Sequence, residues 1–147
     1  MAFIFTQAEI EELLQMLKAS LTASISFPGK GRKESFKVKS LSSRDVFDIF
    51  IYRGSINAGK MNVEAVVEKN NVVLLELHIN ASNKHVNPDG TVIIGSHWHV
   101  FSEEFGRSQA FPADDIHDDA FVENTIKFLD RFNVIEKPNI QFQFELL

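Results

Sequence analysis

Two histidines, His97 and His99, flank the only tryptophan of the chain in the stretch GSHWHVFSEEFG. Imidazoles two residues apart on an extended chain point the same way, so one cation can bridge them. The pair also titrates near neutrality and can serve as acid and base without a metal. Upstream, VVLLELHIN places Glu76 and His78 at the same two-residue spacing, and His85 stands just before the turn residues NPDG. His78, His97 and His99 are therefore the candidate metal ligands. Zinc takes three or four, and His85 or Glu76 can complete the set. For metal-free catalysis the candidates are His97, His99, His85 and Tyr52, with Tyr52 or Lys84 placed to stabilise developing charge. His78, Glu76, Asn87 and Asp89 complete the candidate binding face. The competing reading is a solvated polar sheet face that happens to carry histidines, because a bare H-x-H is a weak motif. No Gly-rich phosphate loop, G-x-S-x-G elbow or H-E-x-x-H motif occurs.

Two other stretches carry charge. KGRKESFKVK holds Lys30, Arg32, Lys33 and Lys37, which can contact phosphates or line a solvated edge strand, where lysines oppose aggregation. SEEFGRSQAFPADDIHDD is acidic, and reads as a solvated loop with charge suited to a following helix N-terminus, or as a surface for a basic partner.

These groups need strands to hold them. TQAE opens a helix with Thr6 as cap and Glu9 three residues on, and Ile10, Leu13, Leu14, Leu17 and Leu21 make its apolar stripe. From Ser35 the period is two. Phe36 and Val38 alternate with lysines; Phe47, Ile49 and Ile51 oppose Asp48, Phe50 and Tyr52; Val63, Ala65 and Val67 oppose Glu64, Val66 and Glu68. Lys69 to Asn71 reads as a hairpin turn into a strand with Val73, Leu75, Leu77 and Ile79 on one face and Leu74, Glu76, His78 and Asn80 on the other. TVIIGSHWHVF reads as one strand bent at Gly95. Trp98 and Val100 are the larger apolar pair and belong in the core, which turns both imidazoles to the opposite, polar face. There Glu76, His78, His97 and His99 cluster if the strands are neighbours. Asp48 and Tyr52 join by parity, and His85 folds over from its loop. A second helix follows, with Phe121, Val122 or Ile126, Leu129 and Phe132 as its apolar face. A final strand turns Ile140, Phe142, Phe144 and Leu146 inward.

The order is helix, about five strands, helix, strand. The expectation is one α+β domain over residues 1–147, with a single antiparallel sheet of five to six strands and both helices packed on one face. The chain has no cysteine, which excludes disulfides, thiolate metal sites and cysteine nucleophiles. Net charge is −5, split as +2 over residues 1–70 and −7 over 71–147. That balance argues against nucleic acid as a partner. No apolar run reaches the roughly 18 residues of a membrane span, and MAFIFTQAEIEELL lacks a basic leader region, so a cytoplasmic setting is the expectation.

The block HVNPDGTVIIGSHWHVFSEEFGRSQAFP, with VVLLELHIN and DVFDIFIYRGSINAGK before it, resembles a family of small uncharacterised proteins of Gram-positive bacteria and their phages or mobile elements. The resemblance runs from Asp45 to the C-terminus. It rests on His85, Asn87, Pro88, Asp89, Gly90, Gly95, His97, His99 and Glu103, and more loosely on Phe105, Gly106, Ala110 and Pro112. The chain departs from the pattern at Glu76 and His78, where the resembling sequences tend to carry Arg and Asp, and at Phe101, where they carry Tyr. The resemblance implies no reaction. It implies an intracellular protein of a phage or mobile element, and the reading preferred from the sequence is an interaction protein binding a host protein. A metal-independent ribonuclease of toxin type, with Lys30, Arg32, Lys33 and Lys37 holding phosphates, is one alternative. A metal-binding protein or metallohydrolase is the other; the expectation is no cofactor and no favoured metal site, with a divalent metal as the alternative.

Overall fold

The computed structural model describes residues 5–56, 60–79, 84–116 and 120–142. The first helix, α1 (Gln7–Gln15), starts where the capping box demands: Thr6 Oγ1 accepts from the Glu9 amide and the Glu9 carboxylate accepts from the Thr6 amide. It ends sooner than the apolar stripe suggests. Ile10 and Leu13 are buried, but Leu17 and Leu21 lie beyond the helix and are half-exposed. The chain turns into two short strands, β1 (Lys18–Ser20) and β2 (Ser24–Ser26).

Four long strands follow and pair in sequence: β3 (Lys33–Ser40), β4 (Val46–Arg53), β5 (Met61–Val67) and β6 (Val73–Ile79). After them come β7 (His85–Val86), β8 (Val92–Ile93), β9 (His97–Val100) and β10 (Ala110–Pro112). The second helix, α2 (Phe121–Arg131), leads into β11 (Val134–Glu136) and β12 (Asn139–Gln141). The main sheet has eight strands in the order β10-β9-β6-β5-β4-β3-β1-β11, not five to six. Its neighbours are antiparallel except β1 and β11, which run parallel. The extra strands have three residues each, too few for alternation to reveal them. The architecture is α+β, as expected.

Four further expectations are corrected. The expected 91–101 strand is two pieces: β8 pairs with β7 as a separate hairpin, and Gly95, at φ +88°, makes the bend before β9. The C-terminal strand pairs with β2 outside the main sheet, and Phe142 is half-exposed, while Asn80, Phe144 and Leu146 lie outside the described residues. In α2 it is Phe128, Leu129, Asn124 and Thr125 that are buried, whereas Ile126 faces out. A bulge in β6 opposite Ala65 and Val66 reverses the assignment of Val73 and Leu74, so that Leu74 is fully buried.

Both helices cover one face. Phe47, Ile49, Ile51, Val63, Ala65, Leu75, Leu77 and Trp98 meet Ile10, Leu13, Phe128, Leu129 and Phe132 in one core. Trp98 stacks on Phe128 at 6.0 Å between ring centroids, and the Arg131 guanidinium lies 4.5 Å over its ring. Among the described residues, no helix is long and apolar enough to cross a membrane.

Candidate metal centre

The opposite face of the sheet carries the candidate site residues, and strand register sets them out in rows. Tyr52, Asn62, His78 and His97 are successive cross-strand partners, as are Phe50, Glu64, Glu76 and His99. The β6–β9 pairing thus places Glu76 opposite His99 and His78 opposite His97. The parity expected from Trp98 holds. The open polar face does not: His97 and His99 are 3% and 7% exposed. The chain after β6 folds back over them. His85 on β7 comes down on the pair, and Arg107, in the turn between β9 and β10, closes the side.

Five ring pairs among His78, His85, His97 and His99 have centroids 4.7 to 5.6 Å apart. An imidazole nitrogen about 2.0 Å from a zinc ion puts its ring centre ~3.2 Å from that ion, so two rings at a tetrahedral angle stand ~5.2 Å apart. Of the four, His78, His97 and His99 each offer a ligand atom within 4.8 Å of the others.

Hydrogen bonds fix which ring nitrogen is offered. His97 Nδ1 faces the Gly95 carbonyl at 2.9 Å, His99 Nδ1 the Arg107 carbonyl at 2.7 Å, and His85 Nε2 the Ser108 carbonyl at 2.8 Å. A carbonyl only accepts, so each of these nitrogens carries the proton and its partner in the neutral ring keeps a lone pair. His78 Nε2 donates in the same way to the Glu76 carboxylate at 3.2 Å. A ring N–H held by an oxygen acceptor is the usual support of a metal-bound histidine. Burial pushes both central imidazoles down, His99 to about 4, and His97 is lowered for the same reason.

Glu76 is nearly fully buried and receives a two-pronged ion pair from Arg107, Nε at 2.9 Å and Nη2 at 2.7 Å. Burial alone would raise its carboxyl. The hydrogen bonds from His78 and Arg107, with the Arg107 charge, outweigh that and hold it at about 2. Glu64 stands 3.7 Å from the same guanidinium, and burial with the neighbouring Glu76 charge raises its carboxyl. Arg107 and Glu64 were not singled out from the sequence. A lone arginine in a polar loop has no periodicity to mark it, and Glu64 carries only its alternation.

Other candidates fall elsewhere. Asp48 does not join the cluster, because Lys37 holds it at 2.6 Å and bridges it to Glu68. Tyr52 lies two strands from His78 in the same row, beside Glu64. Asn87 is buried as a brace: its amide donates to the Ala110 carbonyl and its oxygen accepts the Ala110 N–H, closing that part of the sheet edge. Asp89 is exposed and accepts from the Thr91 amide, a turn-making bond. Lys84 is exposed. Lys33 pairs with Tyr52, three strands from His78, about 14 Å at ordinary strand spacing; Lys30 and Arg32 precede it in the chain. The strand carrying Lys33 and Lys37 is no edge strand, since β3 lies between β4 and β1.

Across residues 5–134 the chain matches a family of unknown function, DUF6978. It belongs to that family. No curated protein and no solved structure matches it. The family match begins well before Asp45, where the sequence resemblance starts, and takes in α1 and both helices' shared core. Membership in DUF6978 brings no activity with it, so the chemistry of this chain rests on its geometry.

Proposed function

We propose that the protein binds one divalent transition-metal ion, zinc fitting best, through His78, His97 and His99. The observation that carries the reading is three imidazoles that each offer a ring nitrogen within 4.8 Å of the others, with one ring nitrogen of each bonded to an oxygen. Three neutral nitrogens suit zinc and its neighbours in the first transition row better than magnesium or calcium, which take oxygen ligands. The buried Glu76 carboxylate supports His78 from behind and supplies negative charge beside the ion.

The test is direct. The full chain is stripped with a chelator, dialysed and titrated with Zn2+ by calorimetry, with bound metal checked by elemental analysis. About one ion per chain is expected, and His97→Ala with His99→Ala is expected to weaken uptake by at least about a hundredfold. Stoichiometry below about 0.1, or equal uptake by the variant, ends the proposal.

The ribonuclease alternative needs cationic groups beside the histidines. The guanidinium at hand, Arg107, is engaged by Glu76 and Glu64, and Lys33 is three strands away. The interaction reading keeps one specific support: a groove of about 800 Å3 floored by Val100, Phe101, Phe105 and Phe111, with the last two half-exposed. If a protein partner docks there, Phe105→Ser with Phe111→Ser abolishes its capture and leaves zinc uptake unchanged. Capture that survives both substitutions removes that support.

A further inference from the structure

We infer that His85 is the fourth ligand, so that the ion is enclosed by four imidazoles and clamps the β7–β8 hairpin onto the sheet. The inference rests on the metal-binding reading above. His85 belongs to an element that is not part of the main sheet: among the described residues β7 pairs only with β8, through His85 with Ile93 and Val86 with Val92. Its ring nevertheless lies over the pair, 4.7 Å from the His99 ring and 5.6 Å from the His97 ring, edge-on to one and stacked on the other.

The Ser108 carbonyl takes the Nε2 proton of His85 and leaves Nδ1 with the lone pair. His85 therefore has the same preparation as the three central ligands. It differs in standing outside their 4.8 Å triangle, on a two-strand element separate from the main sheet. The described side-chain bonds from it to the rest of the chain include the Ser108 contact and the Asn87 brace to Ala110. The glycine bend at Gly95 separates the hairpin from β9. Closing the last part of the distance is then a movement of a two-strand unit, which costs less than moving a central strand of an eight-stranded sheet.

A fourth imidazole changes what the ion can do. Three protein ligands leave a position for water, the arrangement of hydrolytic zinc, whereas four make the closed arrangement of structural zinc. The site is assigned to the closed class, so the ion holds the hairpin and activates no water.

Cobalt(II) is the probe, because its visible spectrum reports coordination, and azide enters only an open position. Expected are cobalt uptake by the wild-type chain with a spectrum indifferent to azide, and His85→Ala binding at least about tenfold more weakly with a spectrum that azide shifts. Adding Zn2+ to the wild-type protein is expected to slow amide exchange across residues 85–93 by about tenfold or more, a readout that needs no variant to fold. Azide shifting the wild-type spectrum, equal affinity in His85→Ala, or unchanged exchange overturns the inference and leaves the three-histidine reading standing. No uptake of either metal by the wild-type chain overturns both.

Discussion

Arg107 decides whether the buried carboxylate beside the histidines is tolerable. Glu76 sits with its side chain 4% exposed, and a charge so placed is stable only when paired and hydrogen-bonded. Arg107 supplies two parallel N–H donors, but its own side chain is 53% exposed, so water screens part of the pair. Arg107→Ala is expected to cost about 2–3 kcal/mol, below the ~3–5 of a fully buried pair. Arg107→Lys recovers part of this, since a single ammonium cannot fork. Urea melts of the metal-free protein check it; a loss under about 0.5 kcal/mol would mean that solvent reaches Glu76 without the arginine.

Lys18 joins the two helices. Its side chain is fully buried, and the ammonium donates to the carbonyls of Leu14 and Met16 at the end of α1 and of Phe132 at the end of α2, at 3.2, 3.0 and 2.7 Å. One cation thus satisfies the orphan acceptors of two helix C-termini, where positive charge is favoured, and it lies 3.8 Å over the Phe132 ring. Lys18→Met takes this donor from the Met16 and Phe132 carbonyls, while the Asn133 amide still donates to Leu14 at 2.8 Å, and is expected to cost about 1–3 kcal/mol. Burial also pulls the ammonium from 10.5 down to about 7. Between those two values the unfolded chain holds the extra proton, so raising the pH favours the folded state. Wild-type stability is expected to climb from about pH 7 to pH 9 and the Lys18→Met variant to stay flatter there, as read by thermal melts. Parallel curves would show that the ammonium keeps its proton when folded.

Across the whole molecule the core and the candidate metal centre lie on opposite faces of one sheet. The helices, the phenylalanine cluster and Trp98 pack on one side, and the β7–β8 hairpin with the Arg107 turn covers the other. Removing a metal should therefore loosen the second side and spare the first. The chelated chain is expected to keep its far-ultraviolet dichroism and a cooperative melt, and zinc at a hundredfold excess over its Kd to add about 3 kcal/mol. Loss of the spectrum on chelation would show that the core cannot stand alone.

How much of this was legible follows from the range of the forces involved. The capping box of Thr6 and Glu9, the alternation of β4 and β5, and the turn of His97 and His99 away from Trp98 depend on residues a few positions apart. They were readable without a fold. Leu17 and Leu21 misled because the stripe continues past the point where Met16 leaves helical geometry. Short strands such as β1, β10 and β11 exist because a neighbouring edge pairs with them, and three residues cannot announce that alone.

Outside the β6 bulge, the amino-acid sequence by itself determined which strand residues share a face, because side-chain direction alternates locally along a strand. Only the tertiary structure decided that β6 lies beside β9, that His85 descends on the pair, and that Arg107 reaches Glu76 from 31 positions away. Those contacts are settled by chain closure and burial across long sequence separations, and no local pattern encodes them.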